Sequence, residues 1–249
     1  MPGAGAENMK QGFVMKLRIK FGKKGAVRFI GHLDMMRYFQ KALRRAGFDL
    51  TYTKGFHPHP VMSFASPLGL GLESCGEYMD IEVESLDVSV QEMKERLQSQ
   101  MAEGIDVYHI SILEETAKNA MASLAAADYL VSFQTDPALL QQNISSFLSR
   151  KEHITEKKTK RGTAQIDIRP LVYELSAEEN ENIRLFMKLS ASSAANVKPE
   201  LVVSEVMGDE RYLEDSSLLR ICRMEMYARQ EDELSDPFVP FSIYQSVSS

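Results

Sequence analysis

Residues 14–21 alternate polar and apolar side chains, with Leu17, Ile19 and Phe21 on one side, which predicts a β-strand with one buried face. Residues 33–46 then repeat apolar side chains at helical spacing and stop before Gly47, a residue suited to the C-terminal end of a helix. The same patterns predict the other elements of the first half at 49–53 (strand), 77–84 (strand), 89–101 (helix) and 105–113 (strand). This order of strand, helix, strand, strand, helix and strand is that of the ferredoxin-like fold.

The second half shows a similar order of elements. Its predicted elements are strands at 129–134, 153–158, 165–175, 183–190 and 218–227, and helices at 137–148 and 199–207. We therefore predict an α+β chain built from two tandem ferredoxin-like (βαββαβ) domains with antiparallel sheets, although no repeated sequence motif relates the halves. The predicted divisions are a disordered tail (1–13), an N-terminal domain (14–113), a linker (114–126), a C-terminal domain (127–228) and a tail (229–249).

Positive charge is concentrated in the first half of a chain whose net charge is -6. Residues 14–64 hold eleven Lys and Arg against two acids, so this stretch carries +9 and the remainder -15. Such asymmetry indicates an anionic partner for the first half, and nucleic acid is the usual one.

The two cysteines, Cys75 and Cys222, lie far apart and form no CxxC motif. An iron–sulfur or structural zinc site built from them alone is therefore not predicted, and free thiols fit a reducing, cytoplasmic setting. No stretch approaches the roughly 18 apolar residues of a membrane span, and the first residues lack the apolar run of a signal peptide. We expect a cytoplasmic protein without membrane contact.

The stretch 54–60 (KGFHPHP) holds two histidines and two prolines in seven residues, and it predicts a rigid loop carrying a functional site. His57 and His59 stand two apart in an extended segment, so their rings point to one side and could share a metal, a phosphate or RNA. With His32 they are also the candidates for a catalytic role. Conceivable further ligands are Asp34, Glu73, Glu77 and Asp80. The alternative is that the two rings bond to the backbone and fix the loop. Since no diagnostic metal spacing is present, neither a metal nor another cofactor is predicted.

Phe56 and Lys54 could contact RNA together, the ring by stacking on a base and the amine by meeting a phosphate. Phe56 could equally anchor the loop in the core. On the first helix, the basic residues Arg37, Lys41, Arg44 and Arg45 could form a phosphate track, or simply a solvated helix face.

The strand 14–21 has a basic face formed by Lys16, Arg18 and Lys20. In a ferredoxin-like sheet the first and third strands are neighbours, so we expect the acids of the third strand to cancel this charge by cross-strand pairing. Those acids are Asp80, Glu82 and Glu84. The net basic surface is then the first helix and the loop 54–60.

In the second half, Asp167 and Arg169 are predicted to share a strand face, where they form either a local ion pair or a ligand clamp. The basic run 157–161 is predicted to be the tip of a hairpin in water, with RNA contact as a second possibility.

Several short motifs carry a resemblance to a known family. They are RFIGHLD (28–34), RRAG (44–47), GFHPHP (55–60), LGLES (70–74) with GEY (76–78), and IDIRP (166–170). Together they resemble the radical-SAM-linked protein family, a bacterial domain of unknown function (DUF2344), over roughly residues 14–228. The resemblance implies a partner, a cobalamin-binding radical S-adenosylmethionine (SAM) enzyme encoded beside or fused to such domains. This chain lacks the cysteines of a radical enzyme and would be the partner protein.

The resulting hypothesis is an accessory RNA-binding module that presents tRNA or rRNA to a radical SAM enzyme. Two alternatives stay open. One is an RNA-processing enzyme in which histidine acts as general acid or base, an analogy of fold with CRISPR repeat-processing endonucleases. The other is a pure protein adaptor for the radical enzyme.

Overall fold

The computed structural model describes residues 14–159, 162–179, 183–230 and 237–247. The predicted tail 1–13 and two residues of the basic run, Lys160 and Arg161, lie outside the described residues. Within the described ranges, none of the helices combines the length and the apolar character needed to cross a bilayer.

The first half contains five strands and two α-helices. They are β1 (Met15–Lys23), α1 (His32–Arg45), β2 (Asp49–Leu50), β3 (Met62–Phe64), β4 (Glu73–Ser85), α2 (Val90–Gln98) and β5 (Ile105–Ile112), with a 3-10 turn at Gly25–Phe29. The described part of the second half contains seven strands and four short or medium helices. They are α3 (Ala120–Ser123), β6 (Leu124–Ser132), α4 (Pro137–Ser149), β7 (Ile154–Thr159), β8 (Gly162–Asp167), β9 (Val172–Glu179), β10 (Ile183–Ser190), α5 (Pro199–Met207), α6 (Arg211–Glu214), β11 (Arg220–Arg229) and β12 (Phe238–Pro240), with 3-10 turns at Arg169–Leu171 and Ser216–Leu218.

Ten strands of the described chain form one sheet. Its central order is β5-β1-β4-β11-β6-β10-β9, with β2 and β3 added beside β4 and β12 added beside β11. The other two strands, β7 and β8, form a separate antiparallel hairpin. Nearly every pairing in the large sheet is antiparallel. The exception is the contact between β4 and β11, which is parallel.

β4 and β11 join the two halves. β4 pairs along one edge with β1, while its other edge meets β11 at Glu73 and Ser74 and then β3 and β2 further along. β11 likewise pairs with β6 on one edge and with β4 and then β12 on the other. The strands therefore continue from one half into the other without a break.

The predicted α+β class with a largely antiparallel sheet is confirmed. The expectation of a separate sheet for each half is not met, because β4 is longer than the predicted strand 77–84. Its additional residues at the start supply the backbone groups that pair with β11.

Helices α1 and α2 cover one face of the first half of the sheet. Leu17, Ile19 and Phe21 of β1 are at most 1% exposed and pack against Phe39 of α1, whose ring centroid lies 4.7 Å from that of Phe21. α1 ends as predicted: Gly47 follows it with φ +80°, a conformation that glycine adopts without strain. The sequence pattern therefore located this core correctly.

Helices α4 and α5 cover the second half in the same way. Leu185, Met187 and Leu189 of β10 are fully buried beneath Leu140 of α4 and Val202 of α5. The N-terminus of α4 is fixed by Asp136, which accepts a hydrogen bond from the Leu139 amide. The predicted helices 137–148 and 199–207 match α4 and α5 closely.

The opposite face of the first half is covered by residues 237–247. These residues lie in the predicted tail 229–249, but β12 pairs with β11 and Phe241 is fully buried. The guanidinium of Arg18 lies 4.8 Å from the centre of the Phe241 ring and donates to the Tyr244 carbonyl oxygen. The basic face of β1, whose charge we expect the acids of the third strand to cancel, is thus also largely covered, and Arg18 is 1% exposed.

The predicted linker 114–126 also packs on this face. Its residues Glu115 and Ala117 accept hydrogen bonds from the Lys16 amine through their carbonyl oxygens, and Ala120 is fully buried. The connection between the halves is therefore part of the packed structure.

Candidate functional site

The predicted site loop interrupts an edge strand. β2 and β3 pair with successive parts of β4, and residues 51–61 between them (the histidine loop) form a short hairpin. The Thr53 amide donates to the His59 carbonyl oxygen at 2.9 Å, and the Val61 amide donates to the Thr51 carbonyl oxygen at 2.8 Å. These bonds hold the base of the loop and leave its tip, 54–58, facing water.

Phe56 at the tip of the histidine loop is completely exposed, at 101% of its reference surface. It therefore does not anchor the loop in the core, which was one of the two alternatives. Gly55 before it has φ +126°, a conformation that favours glycine and turns the chain at the tip. The ring is therefore open on all sides to a ligand.

The two histidines of the loop have different surroundings. The His59 ring is held by Thr53, whose hydroxyl lies 3.0 Å from the ring Nδ1 atom. Among the described residues no hydrogen-bond partner is found for the His57 ring, which is exposed beside Lys54. His59 thus fits the alternative in which a ring fixes the loop, while His57 remains available for a ligand.

The basic residues of α1 lie on its exposed face, as predicted. Arg37 forms an exposed ion pair with Asp34 at 3.3 Å, and Arg44 donates to the carbonyl oxygen of its own helix at Gln40. Lys41 is exposed, and Arg45 donates to Gln100 at the end of α2. An exposed ion pair of this kind contributes little to stability, so Arg37 can turn toward a ligand.

The histidine loop follows α1 in the chain after the turn at Gly47 and the short strand β2. Phe56 stands six positions after Leu50, which lies at the base of the loop, so the tip lies at most about 20 Å from the sheet edge. The basic end of α1 and the aromatic tip are therefore close to each other in the sequence.

The structure does not assemble the conceivable ligand set. His32 packs its ring edge-on against Phe64 with a centroid distance of 5.2 Å, in a cavity of about 20 Å³ that also contacts Lys23 and Glu77. No group of three or more His, Cys, Asp or Glu side chains in the described part of the chain is arranged to hold a metal ion.

Three acids of β4, Glu73, Glu77 and Asp80, form ion pairs with arginines. Among the described residues no ion pair involves Glu82 or Glu84, so the predicted cancellation of the β1 charge by these two acids is not met, and Lys16 donates to backbone carbonyl oxygens instead. Asp80 binds Arg18 through both oxygens, at 2.7 and 2.9 Å, as the predicted cross-strand pairing requires. Glu77 binds Arg223 of β11, again through both oxygens, and each side chain is only 4% exposed. Burial alone would lower the pKa of Arg223, but Glu77 outweighs it and holds this pKa above its ordinary value.

Asp167 and Arg169 form neither an ion pair of side chains nor a ligand clamp. The Asp167 carboxylate accepts from the backbone amides of His153 and Arg169, and the Arg169 guanidinium donates to the carbonyl oxygens of Leu148 and Val172. The predicted strand 165–175 is broken here by a 3-10 turn, which separates the two side chains.

A wide groove lies where the halves meet, on the face of the sheet away from the main helices, and the sequence gives little sign of it. Its volume is about 940 Å³, within the range of ligand sites. The lining comes from β4, β6, β10 and β11 and from the segments around 133–137 and 217–218. Cys75 and Cys222 lie on neighbouring strands here with their Sγ atoms 4.0 Å apart. Burial raises the pKa of Cys222 to about 12, so this thiol is protonated at neutral pH.

A buried polar row crosses the same face of the second half. Asp128 of β6 accepts from the Tyr227 hydroxyl at 2.5 Å and lies 3.9 Å from the Lys188 amine, which also pairs with Glu174. Burial raises the pKa of Asp128 to about 6. Because the folded state then holds a proton that the unfolded chain has released, Asp128 lowers stability as the pH rises from about 4 to above 6, by about 3 kcal/mol.

The family of the chain is shown by its sequence. The family model described as "Uncharacterized protein conserved in bacteria (DUF2344)" matches residues 16–199. The chain belongs to the DUF2344 family. The match includes α1, the histidine loop and Cys75, while β11 and β12 lie beyond it.

Two solved structures similar to the DUF2344 chain are remote likenesses. No curated protein matches it. A chain of the "Crystal Structure of a Cbf5-Nop10-Gar1 Complex" has a TM-score of 0.45 and 12% identity over 87% of the present chain, which spans only 50% of that chain. An unknown protein from Galdieria sulphuraria has a TM-score of 0.26 and 12% identity, over 84% of this chain and 96% of the other. At these scores neither likeness bears on the function of the DUF2344 chain.

Proposed function

We propose that this chain is an RNA-binding module whose contact surface is the histidine loop together with the exposed face of α1. The observation that carries the proposal is Phe56, fully exposed at the tip of a hydrogen-bonded loop. An aromatic ring in this position can stack on any base, and sequence-tolerant stacking of this kind is a common way to hold single-stranded RNA.

The cations around this ring suit the phosphate backbone. Lys54 stands two residues from Phe56, and Arg44, Arg45 and Lys41 lie on the helix that leads into the loop. The exposed His57 ring is the other group on this surface that can contact a base or a phosphate. RNA with unpaired bases, such as the loops of tRNA or rRNA, is the expected ligand class.

The test is fluorescence anisotropy with labelled tRNA and rRNA hairpins at several salt concentrations. If the four cations of α1 and Lys54 all meet phosphates, a plot of the logarithm of affinity against the logarithm of salt concentration should have a slope of roughly -3.5. Phe56→Ala should weaken binding about 5- to 150-fold, which corresponds to the loss of one stacked base. The matched control is Leu139→Ala, an exposed apolar residue on α4, which should bind as the unchanged chain does. Absence of binding at low salt, or equal affinities for the two variants, contradicts the proposal.

We also propose an accessory role beside a cobalamin-dependent radical SAM enzyme. This part rests on the sequence resemblance, and the chain's two cysteines are too few for the cluster of a radical enzyme. Co-purification from lysate with and without nuclease treatment is the test. Loss of the enzyme after nuclease treatment supports presentation of RNA. A complex that forms without any RNA supports a pure adaptor instead.

The alternative of a histidine-dependent RNA-processing enzyme has less support from the loop. His59 is engaged by Thr53, and no carboxylate among the described residues is hydrogen-bonded to either loop histidine. Replacing His57 and His59 by alanine separates the roles, since loss of RNA cleavage with binding retained would favour catalysis.

We further propose that each half is a ferredoxin-like unit. In the first half, the strands lie side by side in the order β5, β1, β4, and then β3 with β2. In the ferredoxin-like order these are the fourth, first and third strands and a second strand that is interrupted by the histidine loop. In the second half, β11-β6-β10-β9 gives the same order, with the β7–β8 hairpin inserted after the first helix. An experimental structure with a different strand order in either half would contradict this assignment.

A further inference from the structure

The groove between the halves contains two arginines arranged around a serine. Arg184 of β10 and Arg220 of β11 both lie opposite Ser132 of β6 in the strand register, one on each side of it. Directly opposed residues of antiparallel strands point to the same face, and all three residues line the groove. Two strand spacings separate the arginines, so their Cα atoms are about 10 Å apart with the serine between them.

The donors of Arg184 are available. Glu178 lies opposite Arg184 on β9, yet neither a hydrogen bond nor an ion pair joins these two described side chains. Within the described chain, no other partner for the Arg184 guanidinium is found. Arg220 is 72% exposed and contacts Glu73 at 3.2 Å. A guanidinium left unpaired in a wide groove is suited to an oxyanion, which it can bind through two parallel hydrogen bonds.

Glu73 is the acid that lines this groove, and it is held by donors on several sides. Its carboxylate accepts from the Gly25 amide at 3.1 Å and from Arg28 at 3.2 Å, besides Arg220. Burial alone would raise the pKa of Glu73, but the hydrogen bonds from Gly25 and Arg220 outweigh burial and hold it below its usual range. Because Glu73 also pairs with Arg28, its single negative charge does not balance the two arginines of the groove. The groove therefore keeps a net positive charge.

The rest of the lining is apolar or weakly polar. Leu130, Phe133 and Met224 contribute to it together with Cys75 and Cys222. An inorganic anion would leave this surface uncovered, whereas a phosphorylated organic molecule would use both parts. None of these residues belongs to the histidine loop or to α1.

We infer that the groove is a second binding site, for a phosphate group carried by an organic body of about nucleotide size. The phosphate lies between Arg184 and Arg220 above the Ser132 hydroxyl, and the organic body covers the apolar lining. The source of the phosphate is either a free nucleotide or one nucleotide of an RNA chain, since both present the same groups. The site goes beyond RNA contact by the histidine loop and stands without it.

Isothermal titration calorimetry of the whole chain at low salt tests the site with three probes: adenosine monophosphate, inorganic phosphate and a short single-stranded RNA. Adenosine monophosphate should bind more tightly than inorganic phosphate, because only the nucleotide covers the apolar lining. Arg184→Gln should weaken nucleotide binding about 10- to 100-fold, the loss expected for a hydrogen bond between charged groups. Arg96→Gln on the exposed face of α2, outside both binding surfaces, makes the same change in net charge and should leave nucleotide binding unchanged.

The outcomes separate this site from the histidine loop. The inference is overturned if adenosine monophosphate does not bind and Arg184→Gln also leaves the short RNA unaffected. It is likewise overturned if Arg184→Gln and Arg96→Gln have equal effects on nucleotide binding. Weaker binding of RNA alone in Arg184→Gln supports a phosphate site that RNA fills. Equal affinity for nucleotide and inorganic phosphate overturns the organic part. Phe56→Ala should reduce RNA binding without changing the nucleotide titration, and a thermal melt of each variant checks that it is folded.

Discussion

Glu77→Gln removes the negative partner of the buried ion pair between β4 and β11 while keeping the size of the side chain. Arg223 then remains 4% exposed without a charged partner, and its remaining acceptors are neutral: the Ser66 carbonyl oxygen at 3.2 Å, the Tyr129 hydroxyl and the introduced amide oxygen. Lys23 is a second cation in the same interior region. Burial lowers the pKa of Lys23, the Glu77 charge opposes this effect, and the positive charge of Arg223 lowers the pKa further. Removing the carboxylate therefore leaves two cations facing each other.

The expected cost of Glu77→Gln is about 3–5 kcal/mol, the range found when one partner of a buried pair is lost. For a chain of this length, each kcal/mol shifts the midpoint of thermal unfolding by roughly 2–4 °C, so the midpoint should fall by about 6–20 °C. Arg223→Met should lie at the lower end, because Lys23 still faces the remaining carboxylate. The double variant should lose much less than the sum of the single losses, since it leaves no unpaired charge inside.

Thermal unfolding followed by circular dichroism measures these changes. The control is Glu92→Gln, which breaks an ion pair of equal length, 2.6 Å, between Glu92 and Arg96 on the exposed face of α2. It should cost less than about 0.5 kcal/mol. If Glu77→Gln and Glu92→Gln shift the midpoint equally, water reaches the inner pair and the argument from burial is refuted.

Three further predictions concern the same part of the molecule. Asp128→Asn should remove the pH-dependent loss of stability between about pH 4 and 7, so the unfolding midpoint of the unchanged chain should fall relative to that of the variant across this window. Midpoints that change with pH in parallel for the two proteins would contradict the raised pKa of Asp128. Diamide should oxidise Cys75 and Cys222 to a disulfide by accepting two electrons and two protons, since their Sγ atoms are 4.0 Å apart. Peptide mapping by mass spectrometry should find the 75–222 disulfide. Finding only separately oxidised cysteines or intermolecular disulfides would contradict this prediction. Gly76→Ala should destabilise the chain by about 1–3 kcal/mol in urea unfolding, because the added Cβ would overlap the Met224 carbonyl oxygen and lie 2.7 Å from Glu225 Cα. The control is Gly69→Ala, whose Cβ would meet the Leu72 side chain at 3.5 Å. Equal urea midpoints for the two variants would refute the close approach of β4 and β11 at Gly76.

The features predicted correctly from the sequence are those with a local signal. The helices α1, α4 and α5 follow from apolar spacing and from residues such as Gly47 and Asp136 at their ends. The pairing of Arg18 with Asp80 follows from strand order and opposite charge. The partner of Lys20 could not be predicted in the same way, because it is Glu225, about 200 positions away on β11.

The features that the sequence does not reveal depend on contacts between distant segments. Nothing local marks the parallel pairing of Cys222 with Glu73, or the groove that it creates. The order of elements along the chain predicts two separate sheets because it carries no sign of this distant pairing. Residues 237–247 follow acidic residues and contain proline, which indicates a tail. Their aromatic residues Phe238, Phe241 and Tyr244 were the available signal for packing.

The shared strands β4 and β11 limit how this chain can be divided, in the laboratory or by evolution. A fragment that stops before residue 124 would keep Glu77 without Arg223, and the complementary fragment would keep Arg223 without Glu77. Each would also expose backbone donors and acceptors along an open strand edge, which favours aggregation. The two fragments are therefore expected to remain soluble only when produced together, as halves of a split protein that reassemble along this edge.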